Sequence, residues 1–406
     1  VRTAYRCRAY PTDEQAVNLA RTFGCVRKVW NEILEWRTKR YRVDAVRTNY
    51  AEADRHLTEL KRRPELAFLN EVSAVPLQQT LRHQYKALTS FFARRSRYPR
   101  FKSRNSRQAA TYTRAAFRWR GGTLWLAKQS EPLRFVWSWP DIDPATLSPS
   151  LVTVSRDADG CWYVTLQLDT DAPGELPATG AAVGLDVGIN SFATTSDGDK
   201  IPNPRLMERK QRNLARYQRR MARTEKGSRN REKARRRVAR AHARVRRARA
   251  NFLHVTSTEL IRRYDVVVVE DLNVSGMMRN HRVARAIGDC GWSTFRAMLG
   301  YKAEKWGRRF VVVDRYFPSS KTCSNCGHLL AQLSLKTRSW TCPSCRTRHD
   351  RDVNAAKNIL AEGLSATACG ADVRPGGLPS GDRPRSRKPD SRGLESGSVR
   401  AEGKSR

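Results

Sequence analysis

Four consecutive valines, Val266 to Val269, run straight into Glu270 and Asp271. A continuous β-branched run of this kind marks a strand buried on both faces, which commits the chain to a sheet covered by helices. An acid set directly behind such a run is costly to bury unless it is paired or holds a cation. Two more acids share this kind of setting. Asp186 ends the apolar stretch in Val183-Gly-Leu-Asp-Val-Gly188, and Asp352 lies in His349-Asp-Arg-Asp-Val-Asn-Ala-Ala356. They stand 84 residues before Glu270 and 82 after it, so only a folded sheet could gather them.

Each acid alone also reads as a strand-end cap or turn residue. Three together point to a divalent-ion centre. Hard cations such as Mg²⁺ or Mn²⁺ take carboxylate oxygens, and two ions shared by such carboxylates stabilise both the attacking and the leaving oxygen in phosphodiester hydrolysis. Asp271 and Asp350 compete as ligands, each within two residues of a proposed one. Side-chain alternation sends Glu270 and Asp271 to opposite faces, so the pair does not easily serve together.

Between the second and third acids, Cys323-Ser-Asn-Cys326 is followed after 15 residues by Cys342-Pro-Ser-Cys345. This is the spacing of a four-thiolate zinc ribbon, the alternative being four reduced core thiols. Cys7, Cys25, Cys161, Cys290 and Cys369 show no paired spacing and read as small buried residues or, for Cys369, a tail thiol. An odd total of 9 argues against an oxidised secreted framework.

The 78 Lys and Arg exceed the 39 acids by 39, a field that implies a polyanionic partner. No run of 18 apolar residues and no signal peptide is found, so a soluble intracellular protein without a membrane partner is expected. Residues 205–249 hold 20 Lys and Arg against three acids, Glu208, Glu225 and Glu232. Leu214, Tyr217 and Met221 recur at helical spacing, Glu225 to Asn230 breaks the pattern, and Val238, His242 and Val245 resume it. This predicts a basic helical hairpin with one apolar stripe. A solvated charged face is the bland alternative, but salt-laced helices mix signs and this one scarcely does. Arg216, Arg219, Arg220, Arg223, Arg235, Arg236, Arg237, Arg240 and Arg244 are therefore expected on a phosphate backbone.

Thr12 to Gln15 form a capping box, and helical periodicity continues through Val26, Val29, Trp30, Ile33 and Leu34. Further helices are expected after Asn49 and near Pro76. From Tyr98 the texture changes to short strands: Tyr112–Trp119, Thr123–Leu126, Leu133–Trp137, and a hairpin over Leu151–Leu168 turning at Asp159-Gly160. Phe117-Arg-Trp-Arg120 interleaves aromatics with arginines, which suits either nucleic-acid contact or a core. Gly184–Thr195, Val266–Glu270 and Phe310–Asp314 read as strands of one sheet, closed by a helix from Asn354. Beyond Gly363 the composition predicts disorder.

These motifs, in order Gly-Leu-Asp-Val-Gly, Val-Glu-Asp-Leu-Asn, Phe317-Pro-Ser-Ser-Lys-Thr-Cys-Ser-Asn-Cys-Gly327, Cys-Pro-Ser-Cys and His349-Asp-Arg-Asp-Val-Asn-Ala-Ala-Lys-Asn358, resemble the TnpB (OrfB) family, transposon-encoded relatives of type V CRISPR effectors. The resemblance implies a multidomain fold. Residues 1–10 and 98–169 would form a wedge β-barrel carrying a helical recognition lobe over 11–97. A linker over 170–182 would lead to an RNase H-like (RuvC) α/β nuclease over 183–320, containing the basic hairpin 205–249. The zinc ribbon would occupy 321–346, the last RuvC segment 347–362, and a disordered tail 363–406. It further implies Asp186, Glu270 and Asp352 as catalytic acids holding two Mg²⁺ (or Mn²⁺), and Cys323, Cys326, Cys342 and Cys345 as ligands of one structural Zn²⁺. The implied partners are a noncoding guide RNA from the transposon end and double-stranded target DNA cut beside a short flanking motif. The implied setting is a prokaryotic cytoplasm, with nucleoid association on DNA. Arg346 departs from the family, where Gly is common after the second CxxC. A guided repressor that binds without cutting, and a transposase that transfers strands, are the rival readings.

Overall fold

The computed structural model describes residues 2–105, 107–169, 174–334 and 336–368. The first half opens with β1 (Arg2–Ala9) and three helices, α1 (Asp13–Asp44), α2 (Tyr50–Arg62) and α3 (Ala74–Phe92). The Thr12/Gln15 capping box is present, and Asn49 and Glu52 form a second one at the start of α2. Strands β2 (Gln108–Thr113), β3 (Phe117–Arg120), β4 (Thr123–Leu126), β5 (Phe135–Val136), β6 (Leu151–Arg156) and β7 (Trp162–Asp169) follow. They form an antiparallel sheet of order β2-β6-β7-β1-β5 and a separate β3-β4 hairpin. The helices and this sheet share one apolar core, running from Leu19 and Val29 through Leu77 and Leu81 to Val152 and Leu166.

Several expected strands are shorter than their patterns. The run Tyr112–Trp119 is broken by a 3₁₀ turn at Arg114–Ala116, and of Leu133–Trp137 only two residues pair. Phe117 and Trp119 pack on the core while Arg118 lies over the Trp125 ring, so the interleaved aromatics are structural.

The second half is a five-stranded sheet with helices on both faces. Its strands are β8 (Ala182–Val187), β9 (Ser191–Thr195), β10 (Lys200–Pro202), then β11 (Val266–Glu270) after the long helices α4 (Leu206–Ala222) and α5 (Arg229–Arg263). Short helices α6 (Val274–Met277) and α7 (Ala284–Cys290) and the longer α8 (Trp292–Lys305) lead to β12 (Arg309–Val313). The order is β10-β9-β8-β11-β12, with β8, β11 and β12 mutually parallel and β9 and β10 antiparallel. Val267 and Val269 face α5 and α8 through Leu260, Ile261, Phe295 and Leu299, whereas Val268 faces the other way with Val311 and Val313. Both faces of the valine run are therefore buried, as its composition requires.

A small hairpin, β13 (Ser339–Thr341) with β14 (Arg348–Asp350), precedes the last helix α9 (Arg351–Ala368). This helix starts three residues before the expected Asn354, because Asp350 Oδ1 accepts from the Asp352 and Val353 backbone N–H groups at 3.0 and 3.1 Å and caps it. It also runs five residues past Gly363 into the segment expected to be disordered, since Gly363 lies flush on Val268. Residues 369–406, with Cys369, fall outside the described residues. Residues 174–182, within the segment expected as a linker, are tied down: Asp265 accepts from the Thr179 and Gly180 N–H groups, and Arg308 donates to Pro177 O at 2.7 Å.

Candidate active site and metal centres

Glycine explains how the three acids meet. A Cβ on Gly184 would lie 2.1 Å from Ala356 O and 2.7 Å from Leu360 N, so α9 rests directly on the β8 backbone there. Asp186 is two residues further along the same face of β8, a rise of about 6.6 Å. Asp352 is one turn back along α9 from Ala356, about 6 Å. Strand and helix thus bring both carboxylates from one contact point to the same rim. The parallel register pairs Val269 with Leu185, which sets Glu270 beside Asp186 on the adjoining strand. Glu270 and Asp186 share the α9 face.

Electrostatics agree with this convergence. Burial, then the charges of Glu270 and Asp352, push the Asp186 carboxyl well above its ordinary range. Burial likewise raises Glu270, with the Ser319 hydroxyl, which donates to Glu270 Oε1, opposing the shift. Asp352 Oδ1 accepts from the Arg351 guanidinium at 2.9 and 3.1 Å, and Arg338 approaches Oδ2 at 3.8 Å. The residue types fit a divalent-ion site: Glu270 and Asp352 lie near enough for their charges to act on Asp186, all three offer the hard oxygens such a cation takes, and a bound cation would offset the burial and repulsion that raise Asp186.

The two competing acids have other work. Asp271 is bound by Arg296 and, at 2.6 Å, by Arg315; these pairs outweigh its burial and hold its carboxyl below the ordinary range. Asp350 caps α9 and accepts from Lys200 Nζ at 2.7 Å.

The four cysteines also meet. Their sulfurs all lie within 4.8 Å of one another, with Cys323–Cys345 and Cys326–Cys342 at 3.6 Å. A tetrahedron with metal–sulfur bonds of about 2.3 Å has edges of about 3.8 Å, so the residues fit one zinc ion. The two CxxC turns repeat the same hydrogen bonds. Gly327 N donates to Cys323 O and Arg346 N to Cys342 O, while Cys323 N donates to His328 O and Cys342 N to Thr347 O. Each turn ends in a left-handed residue, Gly327 at φ 76° and Arg346 at φ 60°. The departure from Gly at 346 therefore costs backbone strain and leaves the ligands alone. The Thr347 and Asn325 hydrogen bonds lower the Cys345 thiol to about 5. Cys7, Cys25 and Cys290 are buried and their thiols are raised by burial to about 11, as inert core residues should be.

All nine hairpin arginines are exposed. Arg235 donates to Asn105 at 2.6 Å and Arg236 pairs with Glu232, so these two are partly committed to the protein. Arg219, Arg220, Arg223, Arg237, Arg240 and Arg244 have no protein partner among the described residues. Of the predicted stripe Leu214 and Val245 are buried and His242 is exposed; Ala234 and Ala243 are buried beside them, small side chains that let α4 and α5 approach. Further along α5, Arg246 and Arg247 dock onto Asp157 and Asp159 of the β6–β7 turn.

Sequence reasoning did not single out Gly184, Ser319, Asn354 or Asn358. The last two stand one turn apart within the Asp352–Asn358 motif, a spacing that already places both on one helix face.

Comparison with known proteins places this architecture. Residues 165–281 match a family described as "Probable transposase" of the OrfB type, 292–359 a "Cas12f1-like, TNB domain", and 1–44 a "Helix-turn-helix domain". In this chain the described part of 1–44 is one strand and one 32-residue helix. A Streptomyces pristinaespiralis protein described as "Putative RNA-guided DNA endonuclease" is 53% identical over 377 residues, covering 92% of both chains. Escherichia coli InsQ, of the same description, is 29% identical over 92% of this chain and 95% of its own. A cryo-EM structure of a Cas12f1–sgRNA–target DNA complex aligns over 89% of this chain and 99% of that one at 16% identity, TM-score 0.34. The chain belongs to the TnpB (OrfB) family. Among the described residues, no helix is long and apolar enough to cross a membrane.

Proposed function

We propose that this protein is an RNA-guided DNA endonuclease encoded by a transposon, cutting target DNA next to a short flanking motif by metal-dependent phosphodiester hydrolysis. The observation that carries the reading is the gathering of Asp186, Glu270 and Asp352 at one rim, with Asp186 held against its own ionisation. Carboxylates brought together in this way are stable as ligands and wasteful as anything else. The names of full-length relatives give the substrate class.

In this reading 183–320 and 347–362 form an RNase H-like RuvC nuclease, which the mixed sheet order supports, and 321–346 is its zinc ribbon. Residues 1–10 and 98–169 are the wedge, and 11–97 the recognition lobe. Asp186, Glu270 and Asp352 are the residues that would hold the Mg²⁺ ions. When bound, these ions stabilise charge on the attacking and leaving oxygens. Ser319 orients Glu270, and Arg351 and Arg338 stand beside Asp352. The α4–α5 hairpin contributes sequence-independent contacts to the nucleic-acid backbone, leaving base pairing with the guide to read sequence.

The test is to express the chain with its flanking transposon end, sequence the RNA that co-purifies, and challenge the complex with Mg²⁺ and a plasmid library randomised beside the target. Guide-dependent cuts beside one motif are expected, with Asp186→Ala and Glu270→Gln retaining RNA but failing to cut. Guide-dependent binding without any cut would instead support the repressor, and strand transfer without RNA the transposase.

A further inference from the structure

Glu270 is held by a hydroxyl whose own position is fixed with unusual care. Ser319 is 5% exposed and donates to Glu270 Oε1. Its N–H donates to Phe317 O at 2.9 Å, and its carbonyl accepts from Asn358 Nδ2 at 2.7 Å. Asn358 also donates to Thr322 O at 2.6 Å. The same carbonyl accepts from Asn354 Nδ2 at 2.7 Å, and Asn354 Oδ1 accepts from Ser324 N at 2.9 Å. Ser324 sits inside the first cysteine turn, between Cys323 and Cys326.

The segment 319–324 is therefore gripped from two sides. Two asparagines on α9, 1% and 6% exposed, hold its carbonyls, and the cysteine ribbon closes its far end. Moving it would strand buried amide groups without partners, so alternative positions are few. The helix that supplies these asparagines also supplies Asp352.

We infer that Ser319 is a positioning residue for the Glu270 carboxylate, and that the ribbon, acting with Asn354 and Asn358, keeps Ser319 in place. The inference rests on the reading of the three acids as a divalent-ion site. It makes the two metal centres mechanically one: a loosened ribbon frees Ser319, and a freed Ser319 releases a metal ligand. Groups that orient metal ligands in this way change metal affinity by roughly tenfold to a hundredfold.

The experiment uses the full chain with its co-purified RNA. Mn²⁺ binding is followed by electron paramagnetic resonance of the free ion, zinc content by mass spectrometry, and cleavage against Mg²⁺ concentration. Ser319→Ala is expected to weaken Mn²⁺ binding by roughly tenfold or more, with zinc and RNA content unchanged. The Mg²⁺ needed for half-maximal cutting rises in step. Ser319→Thr keeps the hydroxyl and restores most of the affinity, and Asn358→Ala moves it in the same direction as Ser319→Ala. A merely structural role would lower the melting temperature without touching Mn²⁺ affinity. Unchanged Mn²⁺ affinity in Ser319→Ala at full zinc content, or Ser319→Thr as weak as Ser319→Ala, overturns the inference alone. Wild-type protein with no Mn²⁺ binding sensitive to Asp186→Asn overturns the divalent-ion reading and this inference with it.

Discussion

The antiparallel sheet takes its central pair, β6 and β7, from a hairpin closed over residues 157–161, whereas the mixed sheet pairs β8 directly with β11 across the 78 intervening residues 188–265. Both sheets have five strands and a well-filled core. They differ in what their connections do. A parallel pair needs a crossover, and here the crossover contains the basic α4–α5 hairpin. The same topological demand that carries the chain away from the sheet brings Asp186 and Glu270 to neighbouring strand ends. The antiparallel sheet also joins distant segments, pairing β1 with β7 from Arg2↔Asp169 to Ala9↔Trp162, but the acids of its β6–β7 turn, Asp157 and Asp159, serve to dock α5.

The sharpest way to break this contrast is to neutralise one acid in each sheet. Asp186→Asn should lower the cleavage rate on the order of 10³-fold, the scale of several kcal/mol of lost transition-state stabilisation. Asp157→Asn should leave the cleavage chemistry intact. Asp186→Asn should also raise the melting temperature of metal-free protein at neutral pH by a few degrees. The sign follows from the raised folded-state pKa. Stability from this group is present at pH below the ordinary aspartate value and is lost as pH rises through the folded pKa, so the variant's advantage should vanish in acid. Melting curves across pH with a chelator present decide it; equal stability at neutral pH would mean the acids are not crowded.

Backbone substitutions probe the same comparison at smaller scale. Gly184→Ala must push α9 off β8, and should cost about 2–3 kcal/mol in denaturant unfolding. Gly160, in the β6–β7 turn, has φ 87° and open space, so Gly160→Ala should cost only about 1 kcal/mol. Equal losses would show that α9 yields easily. In the ribbon, Arg346→Gly should gain about 1 kcal/mol by relieving the left-handed backbone, read as a higher temperature of zinc release. The smallest effect is expected on the hairpin: Arg240→Gln should reduce the slope of log affinity against log salt by about one unit while leaving sequence preference unchanged.

The mixed sheet was legible because its valine run and its terminal acids violate ordinary composition, and physics offers few uses for an acid behind a buried strand. The cysteine pairs were legible for the same reason. What stayed hidden was registration. Nothing in Gly184 announces that a helix will lie on it, and the roles of Ser319, Asn354 and Asn358 depend on contacts among three segments far apart in sequence. The strand Thr123–Leu126 forms as its pattern predicts, whereas Tyr112–Trp119 and Leu133–Trp137 form only in part, since aromatic alternation cannot see the 3₁₀ turn at Arg114–Ala116. The start of α9 lies ahead of its apolar periodicity because the cap belongs to Asp350, an acid that in sequence competes as a ligand.

Order of synthesis gives the position of Asp352 a further meaning. As the chain is made, Asp186, the entire basic hairpin and Glu270 emerge well before α9, and domains fold broadly in that order. A chain that ends before α9 lacks both the third carboxylate and the helix that covers Val268, so on the proposed reading the capacity to cut appears only once translation has passed this helix.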